Sequence, residues 1–158
     1  MFLSDNHQMD KKDKEILIQL QKNGRMSISE LAEKVSLSDT PCLRRVKKLE
    51  ASGVISDYRA LLDNKAVGLN VHVYAFVKLQ ANTDKLAEQF ESSVAELDNV
   101  LECSVVSGSH DYLLKVVAKD LEDYERFVKK SLGKITAISA IESTVVLKQN
   151  FHKTQLHI

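Results

Sequence analysis

Four basic residues, Arg44, Arg45, Lys47 and Lys48, stand within one short stretch, and Ser38, Thr40 and Pro41 lie just before them. Cationic side chains of this kind neutralise phosphates, and Arg can also pair bidentately with a guanine edge in the major groove. That chemistry needs the charges on one side of a helix. At 100° per residue, Thr40, Arg44, Lys47 and Lys48 share one face and Arg45 the flank, while Cys42, Leu43, Val46 and Leu49 fall on the other. One face is core and the other cationic. An arbitrary basic helix face is simply solvated, but here only Glu50 offsets the run, where an ordinary surface helix intersperses acidic partners at i±4.

The elements before that helix read as its support. Ser27 and Glu30 form an S-x-x-E capping box with Met26 and Leu31 as a hydrophobic staple, which starts a helix near Ile28. Its apolar residues Ile28, Leu31, Ala32 and Val35 recur at i, i+3, i+4 and i+7. Ser36-Leu37-Ser38 breaks the pattern, Ser38 caps the next helix, and Pro41 is tolerated in its first turn. This second helix runs to about Ala51. An earlier helix spans residues 10–21, with Ile16, Leu17 and Leu20 on one side and Asn23-Gly24 as its stop. After Gly53, residues 54–62 are rich in strand formers and stand where the wing of a winged helix would follow. Residues 1–62 thus read as a winged helix-turn-helix that binds double-stranded DNA.

Residues 63–70 read as a linker, and the pattern then changes. Every odd residue from Val71 to Leu79 is apolar, which marks a strand. Leu86, Phe90, Val94 and Leu97 repeat at helical spacing; residues 100–106 and 111–118 form a hairpin around a Gly-containing loop. A helix over residues 121–132 is ended by Gly133, and residues 140–147 form the last strand. The order βαββαβ over residues 71–158 predicts a ferredoxin-like antiparallel sheet with both helices on one face, so the whole chain is α+β. One sheet face is left apolar and uncovered, either that of Val71, Val73, Ala75 and Val77 or that of Tyr74 and Phe76. A homodimer at least is expected to cover it.

Composition narrows the class. Net charge is zero, which argues against indiscriminate nucleic-acid binding, but residues 10–59 hold 11 Lys and Arg against 8 Asp and Glu, and residues 60–158 hold 11 against 13. Phosphate contact is therefore expected in the first part alone. No stretch is apolar enough to cross a membrane, and Met1-Phe2-Leu3-Ser4-Asp5 lacks the regions of a secretory signal, so a cytoplasmic protein is expected. Cys42 and Cys103 read as buried apolar residues of a reducing compartment. Histidines 7, 72, 110, 152 and 157 show no metal-ligand spacing, and neither a metal nor a cofactor is expected.

The stretch Leu37-Ser38-Asp39-Thr40-Pro41-Cys42-Leu43-Arg44-Arg45-Val46, the following Leu49-Glu50-Ala51-Ser52-Gly53-Val54-Ile55 with Tyr58, and the later Val106-Ser107-Gly108-Ser109-His110-Asp111-Tyr112-Leu113-Leu114 together closely resemble the Lrp/AsnC transcriptional regulators. The likeness runs from about Met9 to the C-terminus. It implies a winged-helix domain, a hinge strand and a regulatory domain that dimerises through its sheet and assembles into tetramers or octamers. It also implies an amino-acid effector held between dimers against Gly108, Ser109, His110, Asp111 and Tyr112 and against hydroxyls of the last strand, where Ser143 matches. Ile141 stands where many members place Thr, which reduces the polar part of that pocket. The loop itself admits two readings. Gly108 can let backbone N–H groups approach a carboxylate while Asp111 neutralises an ammonium, or both residues can simply shape a hairpin turn.

No nucleophile elbow, P-loop, dinucleotide fingerprint or paired-carboxylate motif is present, so no catalytic residue is expected. The alternative to an effector-tuned, sequence-specific regulator is a nucleoid-organising protein that binds DNA with little sequence preference.

Overall fold

The computed structural model describes residues 9–158, so residues 1–5, read above for a secretory signal, lie outside it. The chain forms two compact units, one of the residues up to Leu61 with the segment Phe151–Ile158, the other Leu62–Asn150.

The first unit holds α1 (Lys11–Lys22), α2 (Ile28–Lys34) and α3 (Asp39–Ala51). Each start is set locally. Asp10 and Asp13 cap α1 reciprocally, and Ser27 and Glu30 do the same for α2, each pair satisfying helix-end N–H groups. The three helices bury Ile16, Leu17, Leu31, Ala32, Val35, Cys42, Val46 and Leu49 in one core. A Schellman turn closes α2: Ser36 donates its N–H to the Glu33 carbonyl and Leu37 to that of Ala32, with Ser36 left-handed at φ 53°. Gly53, at φ 73°, ends α3, and the Ile55 N–H returns to the Leu49 carbonyl.

Two expectations are corrected here. Residues 54–62 form no strand, because no described residue pairs with them; only Ile55 packs on the core, while the Tyr58 hydroxyl donates to Glu50 Oε1 at 3.0 Å. Leu43 is 38% exposed and takes no part in the core, which Cys42, Val46 and Leu49 fill. The C-terminal segment belongs to this unit rather than to the sheet. The Leu156 N–H reaches Gln21 Oε1 at 2.6 Å, and Gln155 Nε2 donates to the Gln21 carbonyl, one of the helix-end acceptors of α1.

The second unit is β1 (Val71–Leu79), α4 (Asp84–Ala95), β2 (Val100–Val105), β3 (Tyr112–Ala118), α5 (Leu121–Lys130), a single 3₁₀ turn Leu132–Lys134 and β4 (Ile138–Val145). The sheet order is β2-β3-β1-β4 with all neighbours antiparallel, the ferredoxin-like topology expected from βαββαβ. Thr83 and Asp120 cap the two helices. Phe90 and Val94 of α4 and Tyr124 and Phe127 of α5 bury Val73, Ala75, Val77, Leu114 and Val116 of the sheet. The helices therefore cover the odd-numbered face of β1, and among the described residues Tyr74 and Phe76 stand on the open face.

Within residues 63–70, read as a linker, residues 63–68 form a compact turn closed by hydrogen bonds from Val67 and Gly68 to the carbonyls of Asp63 and Lys65. Cys103 is exposed, not buried. Its alternation with Val105 is right for the helix-covered face, but β2 is an edge strand, and Glu91 and Ala95 of α4 line an open pocket with Cys103 and Val105 rather than burying them.

Candidate nucleic-acid interface and effector loop

The outward side of α3 carries Thr40, Arg44, Lys47 and Lys48, all exposed, with Pro41 half-buried in the first turn. Among the described residues, no hydrogen bond or ion pair engages the Arg44, Lys47 or Lys48 side chain. Ser38 occupies the N-cap position, yet its hydroxyl caps nothing and stays available to an external partner. Asp39, the acidic residue of the first turn, accepts a hydrogen bond from Ser29 at 2.6 Å, which ties the start of α3 to α2.

Arg45 departs from the group. Its Nη1 bonds both Asp10 and Asp13 at 2.7 Å, so the guanidinium braces α3 against the start of α1. The bond to Asp13, then that to Asp10, holds the guanidinium pKa above its ordinary value, and the Asp13 N–H followed by Arg45 holds the Asp10 carboxyl below its own. Sequence spacing placed Arg45 on the flank; the acidic pair that captures it lies a helix away.

The loop of the second unit divides between two faces of the sheet. Gly108, at φ 125°, has open space where a Cβ would stand, so its backbone is approachable. Asp111 instead stitches the hairpin to β1. Its Oδ2 accepts the Leu79 N–H at 2.8 Å and its own N–H reaches the Val77 carbonyl at 2.9 Å. Tyr112 is 4% exposed and donates to Glu91 Oε1 at 2.6 Å; burial first, then that carboxylate, pushes its phenol up to about 12.

Ser143 pairs in register with Ala75 and therefore points to the helix-covered face, where its Oγ lies 2.6 Å from the Tyr124 hydroxyl. His110 takes the opposite face. Its ring centroid is 5.4 Å from that of Phe76 and its Nε2 is 3.5 Å from Glu142 Oε2, while Ser109 Oγ lies 3.1 Å from its Nδ1. Ser143 and His110 are thus separated by the sheet. Sequence reading missed Phe76 and Glu142 as neighbours of the loop, because only the β1–β4 register brings residues 76 and 142 opposite each other.

Both halves of this architecture have counterparts among known proteins. The family model for the winged helix-turn-helix DNA-binding domain matches residues 9–56, and that for the Lrp/AsnC ligand binding domain matches residues 72–156. The chain is 37% identical over 141 residues to the leucine-responsive regulatory protein of Klebsiella pneumoniae, covering 89% of this chain and 86% of that one. It is 36% identical over the same shares to the protein of that name from Escherichia coli strain K12.

Among solved structures, a transcriptional regulator of Neisseria meningitidis in complex with L-Met superposes with a TM-score of 0.90 at 37% identity, covering 94% of this chain and 96% of that one. An AsnC family regulator from Agrobacterium tumefaciens gives a TM-score of 0.90 at 36% identity, covering 94% and 97%. No described helix is long and apolar enough to cross a membrane. A helix-turn-helix with a free cationic face, followed by a four-stranded sheet that matches a ligand-binding family along nearly its whole length, leaves one assignment: the chain belongs to the Lrp/AsnC family of transcriptional regulators, with a DNA-binding and a ligand-binding domain.

Proposed function

We propose that α3 lies in the major groove of double-stranded DNA, with Thr40, Pro41 and Arg44 near base edges and Ser38, Lys47 and Lys48 on phosphates. Arg45 shapes the face from behind through Asp10 and Asp13. The observation that carries this reading is the free charge of Arg44, Lys47 and Lys48 on a helix whose other side is core. Two-fold pairing of protomers through the open Tyr74 and Phe76 face would set two copies of α3 on a pseudopalindromic site, with half-site centres a multiple of about 10.5 base pairs apart. Higher assembly to tetramers or octamers, a cytoplasmic location and the absence of catalysis belong to the same reading.

The L-Met bound to the Neisseria meningitidis relative supports a small amino acid as effector. Its contacts in this chain fall to the approachable backbone at Gly108 and to Ser109, His110 and Glu142, since Asp111, Tyr112 and Ser143 have partners inside the fold. A purely architectural DNA binder fits less well, because it needs no ligand-binding domain. Binding can bias assembly or DNA affinity only through its difference in affinity for the two states.

Two measurements test the proposal. Calorimetry with each of the twenty amino acids should give heat with at least one, and silence with all of them would remove the effector. Anisotropy with a duplex selected from a random-sequence pool should show that Arg44→Ala with Lys48→Ala loses binding while circular dichroism stays unchanged.

A further inference from the structure

Leu43 lies outside the buried core cluster of the first unit. The core cluster takes Cys42, Val46 and Leu49 from α3, and Leu43 remains 38% exposed. A lone exposed leucine is ordinary on a protein surface. This one stands at i+3 from Thr40 and i−4 from Lys47, on the edge of the face assigned to the major groove. On its outward side it is flanked by Thr40 and Lys47, and on its inward side by Val46. Its side chain can neither bond a phosphate nor donate to a base edge, so in a groove it has one complementary surface. In B-DNA the major groove offers a single apolar feature, the C5-methyl of thymine.

We propose that Leu43 is a specificity-determining residue that packs on a thymine methyl in each half-site, so that operator recognition combines polar contacts by Thr40 and Arg44 with one apolar contact. This rests on the α3 reading above and deepens it. Lys47 beside it would hold the adjoining phosphate and fix the depth at which Leu43 enters. Replacing that thymine by cytosine, adenine or guanine removes the methyl together with other edge groups; replacing it by uracil removes the methyl alone.

The test therefore uses uracil. The full-length protein selects its tightest duplex from a random-sequence pool, each dT is replaced singly by dU, and affinities are read by anisotropy at one salt concentration. Wild type should lose about fourfold at one dT per half-site, the scale of a buried methyl group. Leu43→Ser should bind the parent duplex more weakly and show no further loss at that dU, whereas Leu43→Met, which keeps an apolar reach, should retain the sensitivity. Circular dichroism and thermal melting establish that both variants fold. A flat uracil scan, or a penalty that persists unchanged in Leu43→Ser, overturns the inference. Arg44→Ala with Lys48→Ala separates the two levels: undiminished binding of the selected duplex overturns α3 as the reading helix and Leu43 with it, while lost binding beside a flat uracil scan overturns Leu43 alone.

Discussion

On α3, Arg44, Lys47 and Lys48 keep their charges together without a partner among the described residues. In the second unit Asp111, Tyr112 and Ser143, chosen by the same kind of sequence reasoning, are each bonded inside the fold to Leu79, Glu91 and Tyr124. The difference separates two uses of a polar side chain. Adjacent like charges repel, and the fold gains nothing from keeping them together, which is why an external partner is proposed for them. A carboxylate that accepts a backbone N–H, or a buried phenol that finds an acceptor, instead removes the penalty of leaving a polar group unsatisfied. The first arrangement is the one proposed to meet DNA, and the second holds the sheet in shape.

The strongest test of the first half of this contrast is Arg44→Ala with Lys48→Ala. Each side chain that reads a base should carry about 1 to 3 kcal/mol of specific binding, and each lost phosphate contact should flatten the salt dependence by about one unit of log–log slope. Anisotropy across a salt series measures both. Thermal stability should not fall, because neither side chain bonds another described residue. A large drop in melting temperature would mean that these charges stabilise the fold and that the contrast with the loop is false.

Next in size is Asp111→Ala. It strands the Leu79 N–H at the end of β1, and an unsatisfied buried donor costs about 1 to 3 kcal/mol, to be read from urea unfolding. Unchanged stability joined to lost amino-acid binding would return Asp111 to the effector site and break the comparison at its centre.

What the sequence shows depends on how far apart the interacting residues lie. The α2 start was legible because Ser27 and Glu30 are three positions apart, and β1 because burial alternates residue by residue. The Asp111 bond to Leu79 joins positions 32 apart, and no local pattern announces it. Ser143 matched the family by position, but its face is decided by pairing with Ala75, and a one-residue shift in register would have turned it to the other side. Alternation gave Cys103 the correct face without telling that a position on an edge strand stays exposed. Leu43 failed for a related reason: it stands about 90° from the centre of the buried stripe, where the helical wheel does not decide between core and surface.

Arg44 and Arg45 bring the comparison down to neighbouring residues. Arg45→Ala should weaken DNA binding far less than Arg44→Ala and should instead lower stability by more than an exposed ion pair would, because it takes the guanidinium away from the buried Asp13 carboxylate as well as from Asp10. That stability difference depends on pH. The folded Asp10 carboxyl has a lowered pKa, so its contribution is present above the ordinary carboxylate value and is lost as pH falls through the lowered one. Wild type and Arg45→Ala should therefore converge in stability on acidification below about pH 4. Equal effects of the two arginines on DNA affinity would place Arg45 in the groove after all.

The smallest expected effect concerns Ser36, a polar residue that belongs to neither side of the contrast. It holds φ 53° at the turn between α2 and α3, a conformation that disfavours an L residue by about 1 to 2 kcal/mol. Ser36→Gly removes that strain but also loosens the unfolded chain, which opposes it by about 0.4 to 1 kcal/mol. The net expectation is a gain of about 0.5 kcal/mol in urea unfolding, with the Schellman bonds from Ser36 and Leu37 kept because they use backbone N–H groups. DNA affinity should stay as it was. The Ser36 hydroxyl bonds nothing among the described residues, so a gain in stability accompanied by a loss of affinity would show that it contacts a phosphate. The interface would then extend from α3 back into the turn, and Ser36 would join Arg44, Lys47 and Lys48 as a side chain whose partner lies outside the fold.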